Sequence, residues 1–147
     1  MGNILALAEA QPMEVIQPGH LLIKQGSPGG DMFILEEGRL SVTRDGIKIA
    51  NVITPGAVLG EMSVLLGTPS SATVKAETEA RVRVIRNARA VLERDPALTL
   101  LVASLVADRL DTTSAFLVGL TKEYTGGTEQ SLLARIMSFV HRPAGSD

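Results

Sequence analysis

The fold is decided by residues 56–74, which read GAVLGEMSVLLGTPSSATV. The glycine-flanked apolar pattern predicts one helical turn over residues 61–66, a second turn at residues 67–69 and then a strand. A short helix that begins at a cleft offers unpaired N–H groups and the positive end of a dipole, and both favour an anion such as phosphate. The small residues Gly60 and Ser63 allow a ligand to approach the backbone closely. Alone this is a weak signal, because most glycine-rich turns are structural.

The chain around this stretch, from about Met13 to Arg86, has the sequence pattern of β-strands. Short apolar runs alternate with breaks rich in glycine, proline and aspartate, at the spacing of about 8 to 12 residues that is typical of all-β domains. Asp45-Gly46 separates two such runs, and both residues tolerate the positive φ that a two-residue hairpin needs. The pattern predicts short strands arranged as a sandwich or barrel.

The residues after Arg86 have the sequence pattern of helices. Asn87 is the predicted N-cap of a short helix through Arg94, and Asp95-Pro96 supplies the N-cap and first residue of a helix of about 25 residues. The apolar residues of the long helix recur at helical spacing in an arc wider than one small barrel covers. They are Leu98, Leu101, Val102, Leu105, Val106, Leu110, Leu117 and Leu120. Either this helix packs on its own barrel, or part of it is the seam of a dimer. A last short helix is predicted over residues 131–140.

Composition argues against several functional classes. The 147 residues have the size of one domain, and 14 Lys and Arg against 16 Asp and Glu leave a net charge of −2. No general electrostatic attraction to nucleic acid is therefore expected. The absence of cysteine excludes a disulfide, a thiolate zinc site and a catalytic cysteine. The two histidines, His20 and His141, are too few for a His-rich metal site. We therefore expect no metal, no cofactor and no catalysis.

Targeting and membrane signals are also weak. The N-terminus lacks the basic residues of a signal peptide. The most apolar stretch, residues 98–106, is far shorter than the ~20 residues that span a bilayer. We expect a cytoplasmic protein with no membrane partner.

Several glycine-containing motifs follow one another in a specific order. They are Gly19 to Gly26, GGDMFILEEG at residues 29–38, Gly56, GEMS at residues 60–63, and TPSSATV at residues 68–74. Together they resemble the cyclic nucleotide-binding domain family over roughly residues 13–120. The resemblance implies a mainly β fold with helices: an eight-stranded antiparallel, jelly-roll-like β-roll with a short phosphate-cassette helix and a long C-terminal helix. It implies a binding domain in residues 1–120 and a short helical extension or tail in residues 121–147.

The resemblance also implies a ligand, cyclic AMP or cyclic GMP, and its position. Glu61 would bind the ribose 2′-hydroxyl, and Ser71 would lie beside the cyclic phosphate. The backbone cradle of the phosphate would consist of Gly60, Glu61, Met62 and Ser63.

One position departs from the family pattern. The family has an arginine directly after the proline, where it pairs with the cyclic phosphate, and this chain has Ser70 there. A serine hydroxyl replaces a charge-assisted contact with a neutral one. This loss should weaken binding by about 1.5–3 kcal/mol, or about one to two decades of affinity. Surrogates for the missing cation are Arg81, Arg83 and Arg86, although the first two alternate with valines and are expected to face solvent.

The long helix carries a second resemblance. RLDTTS at residues 109–114 resembles the dimer helix of the catabolite activator branch of the family, in which a Thr-Ser pair contacts the adenine from both subunits. Thr113 and Ser114 match that pair, and the resemblance implies a homodimer through the helix from Leu98 to Leu120. Only 27 residues follow Leu120. That is too short for the DNA-binding domain of the branch, so no DNA binding by this chain is expected.

Two functions remain open at this point. The chain is either a non-catalytic cyclic nucleotide sensor, weakened at position 70, or a degenerate domain that binds no nucleotide and serves as a dimerisation or protein-interaction scaffold. A fragment of a transcription regulator is compatible with both. The intact Glu61 and the small residues beside it favour the sensor.

Overall fold

The computed structural model describes residues 3–123 of the chain. The chain forms two compact units, residues 1–103 and residues 104–147. The described strands all lie in the first unit, and the second unit begins within the last described helix. The expected domain boundary after residue 120 stays a prediction. The helix predicted over residues 131–140 lies outside the described residues.

Eight strands and four helices make up residues 3–123. In chain order they are α1 (Ile4–Ala8), β1 (Met13–Ile16), β2 (Leu21–Ile23), β3 (Met32–Glu37), β4 (Leu40–Arg44), β5 (Ile47–Val52), β6 (Val58–Leu59), α2 (Glu61–Leu66), β7 (Thr73–Ala76), β8 (Ala80–Ile85), α3 (Ala88–Arg94) and α4 (Pro96–Glu123). The predicted helical turn over residues 61–66 and the strand that follows it are both confirmed.

The strands form two four-stranded antiparallel sheets, with the orders β1-β8-β3-β6 and β2-β7-β4-β5. Because side chains alternate across a strand, each sheet turns one apolar row inward, and the two rows form one core. Its members are Phe33, Leu35, Leu40, Leu59, Val74, Ala76, Ala80, Val82 and Val84. β3 is buried on its other face as well, through Met32 and Ile34, and α1 packs against this strand. The predicted eight-stranded β-roll is confirmed.

The hairpin between β4 and β5 forms where the sequence predicts it. Asp45 and Gly46 both have positive φ, 51° and 76°, as a type I′ turn requires. The flanking residues Arg44 and Ile47 are paired across the strands. A bulge between Val42 and Thr43 interrupts the ladder further along.

The two C-terminal helices begin where they were predicted, but only one uses the predicted cap. The Asp95 carboxylate accepts the Leu98 N–H at 3.0 Å, so the cap of α4 is confirmed. Asn87 precedes α3, yet its side chain makes no capping bond. Side-chain capping by Asn87 is therefore wrong. The physical reason is its left-handed backbone (φ 46°), since a capping side chain reaches the first turn from the extended region.

Helix α4 extends over 28 residues, close to the predicted length. In the first unit it buries Leu98 and Val102. In the second unit, Leu110 and Phe116 are exposed apolar side chains. Among the helices of residues 3–123, none is long and apolar enough to cross a membrane.

Candidate ligand-binding cassette

The cassette, defined as residues 56–74, turns sharply from β6 into α2 at Gly60. This residue has a φ of 84°, and a Cβ at this position would lie 2.7 Å from the Asp31 carbonyl oxygen. A side chain at position 60 is therefore excluded by the backbone conformation and also by the close approach of Asp31, the residue before β3. The glycine lets α2 begin against the wall of the roll.

Glu61 is the first residue of α2 and is only 4% exposed. A carboxylate in the first turn interacts favourably with the helix dipole. Moving a carboxylate out of water costs free energy unless hydrogen bonds compensate for it. Buried carboxylates are therefore uncommon, and the burial of Glu61 distinguishes the cassette. Met62, the next residue, is exposed.

One side-chain and two main-chain hydrogen bonds hold the rest of α2. The buried Ser63 hydroxyl donates to the Gly60 carbonyl at 3.0 Å. The Ser63 carbonyl accepts the N–H groups of Gly67 and Thr68. The helix is therefore limited to one and a half turns, with a small polar residue at its centre.

Ser70 and Ser71 lie in the turn between α2 and β7, and both are half-buried. The backbone of Ser70 is paired in both directions, because its N–H donates to the Ser27 carbonyl at 3.0 Å and its carbonyl accepts the Gly26 N–H at 2.8 Å. Within residues 3–123, the hydroxyls of Ser70 and Ser71 are used in no hydrogen bond to a protein group. Position 70 is thus held by its main chain, and its side chain is available to a ligand.

Each of the three arginines considered as surrogates pairs with carboxylates. Arg81 is exposed and lies 3.9 Å from Glu37. Arg86 donates to Asp31 at 2.8 Å and to Glu14 at 2.6 Å, and its pKa is raised, chiefly by the hydrogen bond to Asp31.

Arg83 is not a solvent-facing side chain. Its side chain is 22% exposed, and its guanidinium pairs with Glu36 on β3 and donates to the carbonyls of Glu9 and Gln11. The prediction that Arg83 faces solvent is therefore wrong. Alternation with the valines placed it correctly on the outer face of β8, but the segment before β1 crosses that face and covers it.

The loop between β2 and β3, residues 24–31, is a part of the site that the sequence did not assign. A cavity of about 460 Å³ lies among this loop, the cassette and the start of α3, lined among others by Gly29, Ser63, Thr68 and Arg89. The glycine pair at residues 29–30 was the sequence signal for a close approach here. Arg89 had no such signal.

Thr113 and Ser114 lie on α4 in the second unit. Thr113 is exposed, and the Ser114 hydroxyl donates to the Asp111 carbonyl at 2.9 Å. Their contact with a ligand stays a prediction, as do the ligand contacts of the six cassette residues. In the described part of the chain, no cluster of His, Cys, Asp or Glu is placed to hold a metal ion.

Comparison with protein families finds one match, which covers the β-roll. The pattern of the family described as the cyclic nucleotide-binding domain matches residues 13–92, more than half of the chain. The matched range contains all eight strands and the cassette.

Individual proteins are similar to this chain in sequence or in structure. The potassium/sodium hyperpolarization-activated cyclic nucleotide-gated channel 3 of Homo sapiens is 33% identical over 99 residues, which are 66% of this chain and 13% of the channel. The cAMP-dependent protein kinase regulatory subunit of Schizosaccharomyces pombe is 30% identical over 76 residues, 52% of this chain and 18% of that protein. The catabolite activator protein of Thermus thermophilus has a similar structure, with a TM-score of 0.66 at 23% identity over 82% of this chain and 60% of that chain. This chain therefore spans less than a fifth of the length of the two sequence relatives.

Proposed function

The chain belongs to the cyclic nucleotide-binding domain family, and we propose that it is a regulatory sensor that binds cyclic AMP or cyclic GMP and catalyses no reaction. The observation that carries the proposal is the start of α2, where left-handed Gly60 is followed by the buried Glu61. A carboxylate in this place can accept a hydrogen bond from a ribose hydroxyl.

The proposed ligand lies along the cassette. Glu61 accepts the ribose 2′-hydroxyl, and the hydroxyls of Ser70 and Ser71 donate to the cyclic phosphate. The backbone at residues 60–63, which comprises Gly60, Glu61, Met62 and Ser63, forms the cradle. Support comes from the short helix α2 and from the half-buried hydroxyls of Ser70 and Ser71, which make no hydrogen bond to a protein group within residues 3–123.

Affinity is weakened at position 70. A neutral hydroxyl replaces the arginine of the family, and the hydrogen bond to a charged group that is lost is worth about 1.5–3 kcal/mol. Arg81, Arg83 and Arg86 are engaged with carboxylates and are poor substitutes.

The partner of α4 in the proposal is a second copy of the chain. Apolar side chains remain exposed along residues 98–120, among them Leu100, Leu110 and Phe116. Exposed apolar side chains on a long helix offer a surface that a second helix can cover. Thr113 and Ser114 lie on the same helix and contact the nucleotide in this arrangement. No DNA or membrane partner belongs to the proposal, since a net charge of −2 provides no general attraction to nucleic acid.

A second candidate function follows from Ser70 itself. Without the arginine, the domain is a degenerate member of the family that binds no nucleotide and acts as a dimerisation scaffold through α4. The same exposed apolar residues of α4 support this alternative.

Calorimetric titration separates the two candidates. Cyclic AMP and cyclic GMP are titrated, at one fixed salt concentration, into the unaltered chain and into the Ser70→Arg, Ser70→Gln and Glu61→Gln/Ser70→Arg variants. The sensor proposal expects measurable binding by the unaltered chain and an affinity about ten- to a hundredfold higher for Ser70→Arg. Ser70→Gln controls for side-chain size without charge and should resemble the unaltered chain.

Two outcomes would remove the sensor. If only Ser70→Arg bound a nucleotide, the pocket would be intact except at position 70. If no variant bound a nucleotide, the scaffold function would be favoured. Binding that survives in Glu61→Gln/Ser70→Arg would show that the buried carboxylate does not carry recognition.

A further inference from the structure

We propose that β5, an edge strand of the second sheet, is the docking site for an acidic, extended segment of a protein partner, which adds to the sheet as a further strand. No nucleotide takes part in this contact, so the inference goes beyond the proposed function and does not depend on it. The support comes from an unpaired edge, from exposed apolar side chains and from cations without carboxylate partners.

β5 is the longest strand at an edge of either sheet. Among residues 3–123 it pairs only with β4, and it extends over six residues. The other three edge strands have two to four residues. An edge strand leaves a row of main-chain N–H and C=O groups without a partner in the sheet. Such a row can bind an extended peptide by β-strand addition.

The same edge has exposed apolar side chains. Ile47 and Ile49 lie in β5 and are 68% and 58% exposed, and Ile53, directly after the strand, is 64% exposed. A neighbouring chain that covers an isoleucine removes apolar surface from water, which is favourable. A partner strand would therefore gain apolar contact as well as main-chain hydrogen bonds.

Two lysines project from one face of the second sheet. Lys48 on β5 is opposite Thr43 on β4, and Lys75 on β7 is opposite Ser41 on β4. Ser41 and Thr43 are two positions apart, and residues at that spacing point to the same side of a strand. Both lysines therefore lie on the face that contains the two β4 side chains.

The positive charge of this face is only partly neutralised. Lys75 lies 3.8 Å from Glu77. The pKa of Glu77 is lowered by the hydrogen bond from Ser41 and then by the charges of Lys75, Lys48 and Arg39, so three cations lie around one carboxylate. Within residues 3–123, Lys48 and Arg39 have no ion pair within 4 Å. The arginines on and next to β8 in the first sheet, by contrast, all pair with carboxylates.

The tip of the β4–β5 hairpin is already fixed in place. The Asp45 carboxylate accepts a hydrogen bond from the side-chain amide of Gln25 at 2.7 Å, and the Asp45 N–H donates to the oxygen of the same amide at 3.0 Å. Gln25 belongs to the β2–β3 loop, so the hairpin is held on the roll before a partner arrives. A preorganised edge loses less conformational entropy on binding.

Charge and main chain together select the partner. A lysine on an edge strand opposes pairing with a neutral or basic strand, whereas an acidic strand turns the same charge into an attraction. A second copy of this edge would bring two sets of the same cations together. An anionic membrane would leave the main-chain groups of the edge without hydrogen-bond partners. An acidic protein segment satisfies both requirements.

Synthetic strands test this surface on the unliganded chain. The probe is a short, end-blocked peptide of alternating glutamate and valine, and the first comparison peptide has lysine in place of glutamate. The second comparison peptide is the acidic one with N-methylated amides, which cannot donate main-chain hydrogen bonds. We expect only the unmodified acidic peptide to bind, and higher salt to weaken it. Amide hydrogen exchange should slow at the β5 amides that do not face β4, and Val84 on the first sheet should keep its rate.

Neutralising single cations tests the role of charge. Lys48→Gln and Arg39→Gln should each weaken binding of the acidic peptide by about two- to fivefold, the size expected for one exposed charge pair. Arg81→Gln is the matched control, because it changes the net charge by the same amount at an exposed arginine of the first sheet. Its affinity for the peptide should equal that of the unaltered chain.

Several results would overturn the proposal. Failure of the acidic peptide to protect β5, or equal binding by its N-methylated form, would exclude strand addition. An equal loss of affinity in Arg81→Gln would assign the effect to net charge alone. Protection of β5 that rises with protein concentration and needs no peptide would assign the edge to a second copy. Binding of phosphatidylserine vesicles without any protection of β5 by the peptide would assign the face to a membrane.

Discussion

The core between the two sheets and the cassette are held in different ways. The core is held by buried apolar side chains such as Leu35, Leu40 and Val82. The cassette is held mainly by glycine conformations and main-chain hydrogen bonds, as at Gly60 and Ser70. The core therefore depends on side-chain volume. The cassette depends on backbone position, which explains how its residue 70 can be a serine in an otherwise intact turn.

The largest effect is expected from truncation in the core. Leu40→Ala should lower the free energy of unfolding by about 2–5 kcal/mol, because Leu40 is fully buried between the sheets and leaves a cavity. Ile47→Ala, at a side chain that is 68% exposed, should change it by less than about 0.5 kcal/mol. Urea unfolding monitored by circular dichroism measures both. If the two variants lost the same free energy of unfolding, stability would not depend on side-chain volume in the core.

A methyl group at Gly60 is expected to have the next largest effect. Gly60→Ala adds a left-handed alanine and a clash with the Asp31 carbonyl, whereas Gly67→Ala adds only the left-handed alanine, since no atom lies within 4 Å. Gly67→Ala should lose about 1–2 kcal/mol, and Gly60→Ala at least about 1 kcal/mol more. The same unfolding measurement compares them. If Gly67→Ala proved the more damaging, close approach would not be what holds the start of α2.

Loss of the cap of α4 should be smaller. Asp95→Ala removes the acceptor of the Leu98 N–H and should lower stability by about 1 kcal/mol. Asp95→Asn retains an acceptor oxygen and should lose less. A thermal melt distinguishes the two variants. Identical melting temperatures would mean that the carboxylate does not cap the helix.

The smallest effect is expected at the carboxylate of Glu77, which follows β7. The buried Ser41 hydroxyl donates to Glu77, and this bond is the main cause that lowers the pKa of Glu77 below its ordinary value of 4.5. Because the folded pKa is the lower one, the stabilisation is present above the ordinary value and is lost as pH falls through the folded pKa.

Nuclear magnetic resonance titration of the Glu77 carboxyl measures this effect. Ser41→Ala should raise the pKa of Glu77 towards 4.5. Ile49→Ala, at an exposed apolar side chain on β5 of the same sheet, is the control that should leave it in place. An unchanged pKa in Ser41→Ala would assign the effect to Lys75 and the other cations nearby.

Local signals in the sequence were sufficient for much of the fold and of the cassette. Asp45-Gly46 predicted its hairpin, Asp95-Pro96 predicted a helix start, and the glycines around residues 61–66 predicted a short helix. Each of these depends on neighbours within a few positions. The side-chain cap at Asn87 and the exposure of Arg83 were wrong, because their true partners, Asp31 and Glu36, are distant in the chain.

The sequence by itself determined most of the strands, the three helices after Gly60, the family and the position of the cassette, because periodicity and turn chemistry are local properties of the chain. The short helix α1 was not predicted. Only the tertiary structure decided that Glu61 is buried, that Gly29 touches Ser63 and that the β2–β3 loop is hydrogen-bonded to Ser70 and to Asn87. These contacts depend on which strands pair and in what register. That choice belongs to the packing of two sheets around one core, and no single stretch of sequence encodes it.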